Sequence, residues 1–136
     1  MYASVAGTGK RCDPLNDLRD KLREFVSERD WQQFHTPKNL SMALAGEAAE
    51  IMEIFQWLTA EQSTQLPAEK MDEVREEIGD VLIYLVRLAD VLGIDPMEAA
   101  LAKMEKNRVK YPAELARGRA DKYTAYVKKD GGGGAE

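Results

Sequence analysis

The amino-acid sequence predicts an all-α protein, a bundle of four to five helices. Helix-start signals recur along the chain, and stretches in which β-branched residues alternate with polar ones are absent. In addition, two of the predicted helices are apolar over arcs too wide for one short chain to cover. No internal repeat offers a second covering layer. We therefore expect a bundle that completes its core by homo-oligomerisation.

The predicted helices begin at prolines. Asp13-Pro14 and Asp95-Pro96 each place a capping acid before a proline that suits the first helical turn. Pro37 and Pro67 mark two further starts. The sequence therefore predicts helical segments at 14–30, 38–58, 67–92 and 96–109.

The apolar faces of these segments differ in width. The first carries an ordinary one-sided stripe made of Leu15, Leu18, Leu22 and Phe25, whereas the second and third are apolar over much wider arcs. Pro112 ends the fourth segment. Residues 113–127 are predicted to hold a further short helix or an irregular arm over the bundle.

Length and composition indicate one domain. A chain of 136 residues, 44% of them hydrophobic, can bury one core, which we place at 13–127. Residues 1–12 show no apolar period and residues 128–136 are a charged glycine run, so both segments are expected to be flexible. The single cysteine, Cys12, excludes an intramolecular disulfide, and a cytosolic protein is expected.

Charge and hydropathy exclude two classes of partner. The net charge of -5 argues against binding a nucleic acid polymer, although a small triphosphate held through a metal remains possible. The longest apolar stretch, Val81 to Ile94, is interrupted by Arg87 and Asp90 and is too short to cross a bilayer. No membrane partner is expected.

Four carboxylates stand out by their placement. Glu47 and Glu50 fall in the apolar sector of the second helix. Glu77, Asp80 and Tyr84 lie along one edge of the apolar stripe of the third, at i, i+3 and i+7. Packing these two faces together would bring the four acids close. No lysine or arginine shares their sectors, so a divalent cation would relieve the repulsion.

The ligand type predicts the metal. An all-oxygen set suits Mg²⁺, with Mn²⁺ as a possible substitute, rather than zinc. A di-iron site would need Glu-x-x-His on two helices, and the only histidine, His35, precedes Thr36-Pro37 in a predicted loop. The competing interpretation is that Glu-x-x-Glu pairs in a chain with 24 acids are solvated helix faces. Two such pairs on the apolar faces of consecutive helices favour the metal site.

These motifs resemble a known family. The spacing Glu47-Ala-Ala-Glu50 followed by Glu77-Ile-Gly-Asp80 is similar to the ExxE…ExxD signature of MazG-type all-α nucleotide pyrophosphohydrolases. The surrounding sequence resembles the dCTP pyrophosphatase branch of this family over about residues 14–126. The matching stretches are DWQQFHTPKNL (30–40), GEAAEIMEIFQW (46–57), EEIGDVLIYLVRLAD (76–90), KMEKNRVKYPAELAR (103–117) and KYT (122–124).

The resemblance implies a fold, a site and a reaction. It implies a helical protomer in a homotetramer built from two dimers, with Mg²⁺ held by the four acids. It implies cleavage of a deoxynucleoside triphosphate to the monophosphate and pyrophosphate. Around the nucleotide it places Trp31, Trp57, Tyr84, Lys103, Asn107 and Tyr111, and His35 could close over the base from its loop.

The residue types suit those roles. Tryptophans stack on bases, asparagine can read a base or sugar edge, and lysine with tyrosine can hold phosphates. Each could instead be structural: Trp31 and Trp57 as core or interface aromatics, Lys103 and Asn107 as surface residues. Animal dCTP-preferring members carry a histidine where this chain has Leu22, so the base preference does not carry across directly.

The expected function is hydrolysis of dCTP or a modified pyrimidine deoxynucleoside triphosphate, with Glu47 or Glu50 as the catalytic base. A purine or non-canonical triphosphate is the alternative substrate. The alternative class is a non-catalytic helical interaction module whose acids bind divalent cations. Incubation with a panel of nucleotides and Mg²⁺ would distinguish them.

Overall fold

A computed structural model describes residues 13–127. The segments expected to be flexible, 1–12 and 128–136, lie outside the described residues. Within 13–127 every regular element is helical and there is no strand, which confirms the all-α prediction. The chain divides after Asp95 into two compact units.

The first unit holds three long elements and two short ones. They are α1 (Pro14–Glu28), a 3₁₀ turn (Gln32–Phe34), α2 (Pro37–Phe55), α3 (Ala60–Ser63) and α4 (Ala68–Val91). The second unit holds α5 (Pro96–Lys110), α6 (Ala113–Ala116) and a 3₁₀ turn at Tyr123–Tyr126. The predicted segments 14–30, 38–58, 67–92 and 96–109 thus correspond to α1, α2, α4 and α5. The last predicted segment, 113–127, forms two short helical pieces.

The starts of α1 and α2 combine a capping side chain with a proline; the Asp13 cap was predicted and the Thr36 cap was not. Asp13 caps α1, its carboxylate accepting the backbone N–H of Leu15 at 3.1 Å and that of Asn16 at 3.4 Å. The hydroxyl of Thr36 accepts the N–H of Asn39 at 3.2 Å and caps α2. Both helices then begin with proline, whose missing N–H costs nothing in the first turn.

The core of the first unit forms where α1 and α2 pack against α4. Its buried apolar side chains are Leu22, Val26, Leu40, Val74, Val86 and Ala89. Large apolar side chains remain outside it: Met42 is 64% exposed, Met52 57% and Ile78 54%. A single chain therefore leaves much of the wide apolar arcs of α2 and α4 uncovered, as the sequence predicts.

The second unit has a small aromatic centre. Tyr126 is buried, and its ring meets that of Tyr111 edge-on at 5.9 Å between centroids. The guanidinium of Arg119 lies over the Tyr126 ring, 5.4 Å from its centroid. These contacts connect Tyr111, which follows α5, and Arg119, which follows α6, to the 3₁₀ turn. None of the helices within 13–127 combines the length and apolarity needed to span a membrane.

Candidate metal and nucleotide site

Three of the four predicted metal ligands converge where α2 packs on α4. Carboxylate oxygens of Glu47, Glu77 and Asp80 all lie within 4.8 Å of one another, and the three side chains are half-buried. Glu50, one turn after Glu47, is more exposed and hydrogen-bonds to both Glu47 and Glu77. We refer to these four residues as the carboxylate cluster.

The cluster is electrostatically crowded. The hydrogen bond with Glu50, partial burial and the neighbouring negative charges raise the pKa of Glu47 to about 7. The pKa of Glu77 is also raised, first by its hydrogen bond with Glu50 and then by burial. In addition, Glu77 Oε2 is buried and has no hydrogen-bond partner among the described residues. Close acids in this state must share protons or be neutralised by a cation.

A divalent cation fits this donor set. Several carboxylate oxygens, one of them without a partner, offer the hard ligands that Mg²⁺ and Mn²⁺ accept. No histidine or cysteine joins the cluster among the described residues, which disfavours zinc. The geometry therefore supports a divalent metal centre built from α2 and α4.

A groove of about 370 Å³ opens beside the cluster. Its lining is mostly acidic and comprises Glu50, Glu53, Ile54, Lys70, Glu73, Glu76 and Glu77. Lys70 Nζ lies 2.9 Å and 3.1 Å from the two carboxylate oxygens of Glu73. Glu73 is therefore already paired, and the unneutralised charge of the groove belongs to its other acids.

A second cavity, of about 360 Å³, reaches the cluster at Asp80. It is mostly apolar, and we refer to it as the aromatic cavity. Its lining residues are Lys21, Leu22, Phe25, Val26, Trp31, His35, Asp80, Ile83, Tyr84 and Arg87. Trp31 is held by the edge-on contact of its ring with Phe25, 5.8 Å between centroids, and its ring centroid lies 6.4 Å from that of His35. A flat apolar ring would fit such a space next to a metal site.

A charged network closes one side of this cavity. Arg87 Nε donates a hydrogen bond to His35 Nδ1 at 3.1 Å, and Arg87 Nη1 donates to Asp90 Oδ2 at 3.2 Å. Arg23 of α1 reaches the same carboxylate through Nε at 2.8 Å. The pKa of Asp90 is therefore held below its ordinary value, chiefly by the Arg23 hydrogen bond.

Sequence reasoning noticed Arg87 and Asp90 only as interruptions of an apolar stretch. The available signal was their spacing: opposite charges at i and i+3 within the apolar face of a core helix have to pair with each other or with a functional group.

The predicted nucleotide contacts are divided between the two units. Trp31, His35 and Tyr84 line the aromatic cavity together. Trp57 lies in the turn after α2, is 87% exposed and is not among the lining residues. Lys103 and Asn107 on α5, and Tyr111 just after it, belong to the second unit, and their part in the site stays a prediction.

The chain is similar in sequence to known proteins. The family model described as the MazG-like family matches residues 43–125, which include the whole carboxylate cluster. The dCTP pyrophosphatase 1 of Homo sapiens is 50% identical over 113 residues, and that of Mus musculus is 47% identical over 112. Each match covers 81% of this chain and 66% of the relative, so the chain spans slightly less than two thirds of these proteins.

A solved structure is also similar. The crystal structure of a pyrophosphatase from Archaeoglobus fulgidus superimposes with a TM-score of 0.71 at 47% sequence identity. The match covers 75% of this chain and 95% of the archaeal chain. At this identity the similarity includes the sequence as well as the fold.

Proposed function

The chain belongs to the MazG-like family, and from this membership we propose that it is a nucleoside triphosphate pyrophosphohydrolase. It converts a deoxynucleoside triphosphate, with dCTP or a modified pyrimidine counterpart as the preferred substrate, to the monophosphate and pyrophosphate. The relatives named dCTP pyrophosphatase 1 and the archaeal pyrophosphatase support this reaction.

The observation that carries the proposal is the convergence of Glu47, Glu77 and Asp80 from two helices, with Asp80 also lining an apolar cavity. A structural role alone does not account for this arrangement, because clustered acids raise one another's pKa and oppose folding when ionised. The cluster suits a bound cation and the cavity suits a base. Together they support a bound triphosphate whose nucleobase lies in the cavity and whose phosphates meet the acids.

We assign the four acids as the ligands of Mg²⁺. When bound, the metal supplies positive charge to the phosphates and lowers the pKa of a coordinated water. Glu47 and Glu50 are the candidates for the base that takes the proton of the attacking water, because both lie on α2 within hydrogen-bond reach of Glu77 on α4. Glu77 and Asp80 hold the α4 side of the site.

The nucleotide contacts come from side chains whose chemistry matches its parts. Trp31 offers an aromatic face to the base, and His35 and Tyr84 offer polar groups at the border of the same cavity. Trp57, Lys103, Asn107 and Tyr111 are assigned to the nucleotide as well, with Lys103 and Tyr111 on the phosphates.

The active form is a homotetramer, a dimer of dimers. The exposed apolar side chains of α2 and α4 support this assignment, because soluble monomers seldom leave so many large apolar groups uncovered. Trp57, which lies in the turn after α2 and is 87% exposed, would then lie at or near a subunit boundary rather than in water.

The test is incubation of the full chain with canonical and modified deoxynucleoside triphosphates and Mg²⁺, followed by chromatography of the products. We expect monophosphate and pyrophosphate in equal amounts, fastest with a pyrimidine substrate. Faster turnover of a purine triphosphate would replace the pyrimidine nucleotide as the assigned substrate. Recovery of all nucleotides intact, together with tight cation binding, would indicate a non-catalytic module.

A further inference from the structure

His35 is held in one protonation form by its neighbour. An arginine Nε always carries a hydrogen, so Arg87 Nε must be the donor in its 3.1 Å contact with His35 Nδ1. Nδ1 is therefore the acceptor and carries no proton. A neutral imidazole has one proton, which must then lie on Nε2, the nitrogen that is left free to donate.

The arginine itself is fixed. Its side chain is nine-tenths buried, and its charge is paired with Asp90, whose side chain is 9% exposed. Arg23 of α1 binds the same carboxylate, so α1 and α4 together orient the guanidinium toward His35. This is a prearranged donor rather than a surface ion pair.

The surroundings of His35 indicate what its free N–H would meet. Leu22, Phe25, Val26 and Ile83 of the aromatic cavity have no polar side-chain atoms, so His35 supplies one of the few directed donors there. Because Asp90 already neutralises Arg87, this wall of the cavity is not built to attract a phosphate. A neutral N–H in an apolar, aromatic space suits a neutral acceptor, such as the carbonyl oxygen that projects from the edge of a pyrimidine.

We propose that Arg87 is a positioning residue that fixes His35 as an Nε2–H donor, and that this donor reads a carbonyl oxygen on the base of the bound nucleotide. The inference rests on the proposed function, since it assigns the base end of the same site. The pKa of His35 is lowered, first by burial and then by the charge of Arg87, which is consistent with an imidazole that stays neutral.

The protonation form of His35 can be read directly, because the chain contains a single histidine. Long-range ¹H–¹⁵N correlation spectra of the ¹⁵N-labelled full chain at neutral pH should show one imidazole, protonated at Nε2 only. In R87M the imidazole should become a mixture of forms with a higher pKa, while Asp90 keeps Arg23 as its partner. A wild-type imidazole protonated at Nδ1, or on both nitrogens, would overturn the proposal.

The matched control is R75M, which removes an arginine from the same helix. Arg75 is exposed and pairs with Asp72 at 2.6 Å, also at i and i+3. This variant should leave the histidine spectrum unchanged. R87K keeps the positive charge but loses the planar guanidinium, so it is less prone to a folding defect than R87M. Its histidine spectrum should be intermediate between those of the wild type and R87M.

Recognition is tested by kinetics with dCTP and 2-thio-dCTP, in which sulfur replaces the carbonyl oxygen and accepts hydrogen bonds weakly. For the wild type we expect a KM about threefold to tenfold higher for the thio analogue, the fold-change of one neutral hydrogen bond. In R87M the KM for dCTP should rise by a similar factor and the discrimination should disappear, with kcat little changed. R75M should behave as the wild type.

The outcomes separate the two proposals. If R87M is folded and discriminates between the two nucleotides as the wild type does, Arg87 has no role in reading the base. If the wild type cleaves no nucleotide at all, the proposed function fails, and the spectra still decide whether Arg87 sets the form of His35.

Discussion

Glu47 on α2 and Asp80 on α4 bring carboxylate oxygens within 4.8 Å of each other, and an oxygen of Glu77 lies within the same distance of both. The two residues come from separate helices, so their approach is a product of helix packing and not of local sequence. Two ionised carboxylates at this distance repel each other. Within this cluster the pKa of Glu47 is raised to about 7, first by its hydrogen bond with Glu50 and then by burial, and the charge of Asp80 adds a smaller contribution. The predictions about metal and pH follow from this contact.

The first prediction is metal dependence. D80N keeps the shape of the side chain and removes one charged ligand, so turnover should fall by at least about 100-fold and Mg²⁺ should bind more weakly in calorimetry. The helical circular dichroism should be unchanged, because removing one charge from a crowded acidic cluster relieves repulsion and does not destabilise the fold. D72N on the same helix is the matched control, since Asp72 is exposed and paired with Arg75. Full turnover in excess EDTA would contradict the prediction.

The second prediction concerns pH and stability without metal. Because the folded-state pKa of Glu47 is raised to about 7, the folded protein binds a proton more tightly than the unfolded chain. The stability from this group is present at pH 5 and is lost as the pH rises through 7. The Tm in EDTA should therefore fall over this window, and less steeply in E47Q. Excess Mg²⁺ should remove most of the pH dependence of the Tm, because the cation binds the ionised acids and stabilises the folded state at high pH.

D72N again provides the comparison for this experiment, since it removes a carboxylate that is outside the cluster. Its Tm profile should follow that of the wild type. A metal-free Tm that rises between pH 5 and 7 in the wild type, and does so equally in E47Q, would show that Glu47 does not hold its proton in the folded state.

A third prediction concerns assembly. Ile78, Leu82 and Leu85 form an exposed stripe at i, i+4 and i+7 on α4, with exposed fractions of 54%, 39% and 43%. Light scattering at micromolar concentration should report a tetramer. L82D should dissociate it, because a charge would be buried in an apolar interface. S27D adds the same charge at an exposed position of α1 and should remain tetrameric. An active wild-type monomer would contradict this prediction.

The sequence predicted most of the helices because their start signals are local. Asp13, Pro14 and Pro37 act within one turn, so the starts of α1 and α2 could be predicted directly. The short helix α3 was not predicted, although Thr59 and Gln62 form a capping box whose spacing is present in the sequence. A four-residue helix has too little apolar periodicity to be noticed by pattern alone.

The site was predictable to the extent that it repeats along helices. Glu47, Glu77 and Asp80 share regular spacings with apolar residues, and the structure brings them together. The contact between His35 and Arg87 spans 52 positions and has no such period. It depends on how the loop before α2 settles on α4, and this packing cannot be read from the spacing of charges.

The fourth prediction concerns the tryptophans. Replacing Trp31 with alanine removes an aromatic face from the cavity and should raise KM by the factor that corresponds to about 1–3 kcal/mol of lost base stacking. Trp57→Ala should also raise KM if Trp57 contacts the nucleotide in the tetramer. Phe34→Ala, which removes another exposed aromatic residue near His35, is the control. A tetrameric Trp57→Ala variant with an unchanged KM would make that tryptophan structural.

The last prediction is the bond that breaks. Hydrolysis at the γ-phosphorus gives a diphosphate and orthophosphate, whereas hydrolysis at the α-phosphorus gives the monophosphate and pyrophosphate. P-loop enzymes that cleave the γ-phosphate use the motif Gly-x-x-x-x-Gly-Lys-Ser/Thr. The Gly7-Thr8-Gly9-Lys10 stretch lacks the first glycine of this motif and the serine or threonine after the lysine. The aromatic cavity instead meets the carboxylate cluster directly at Asp80, so a base in the cavity would bring the nearest phosphate to the acids. Reaction in H₂¹⁸O should place the label in the monophosphate. An α,β-imido analogue should resist cleavage while the β,γ-imido analogue is still cut, and label confined to orthophosphate would refute attack at the α-phosphorus.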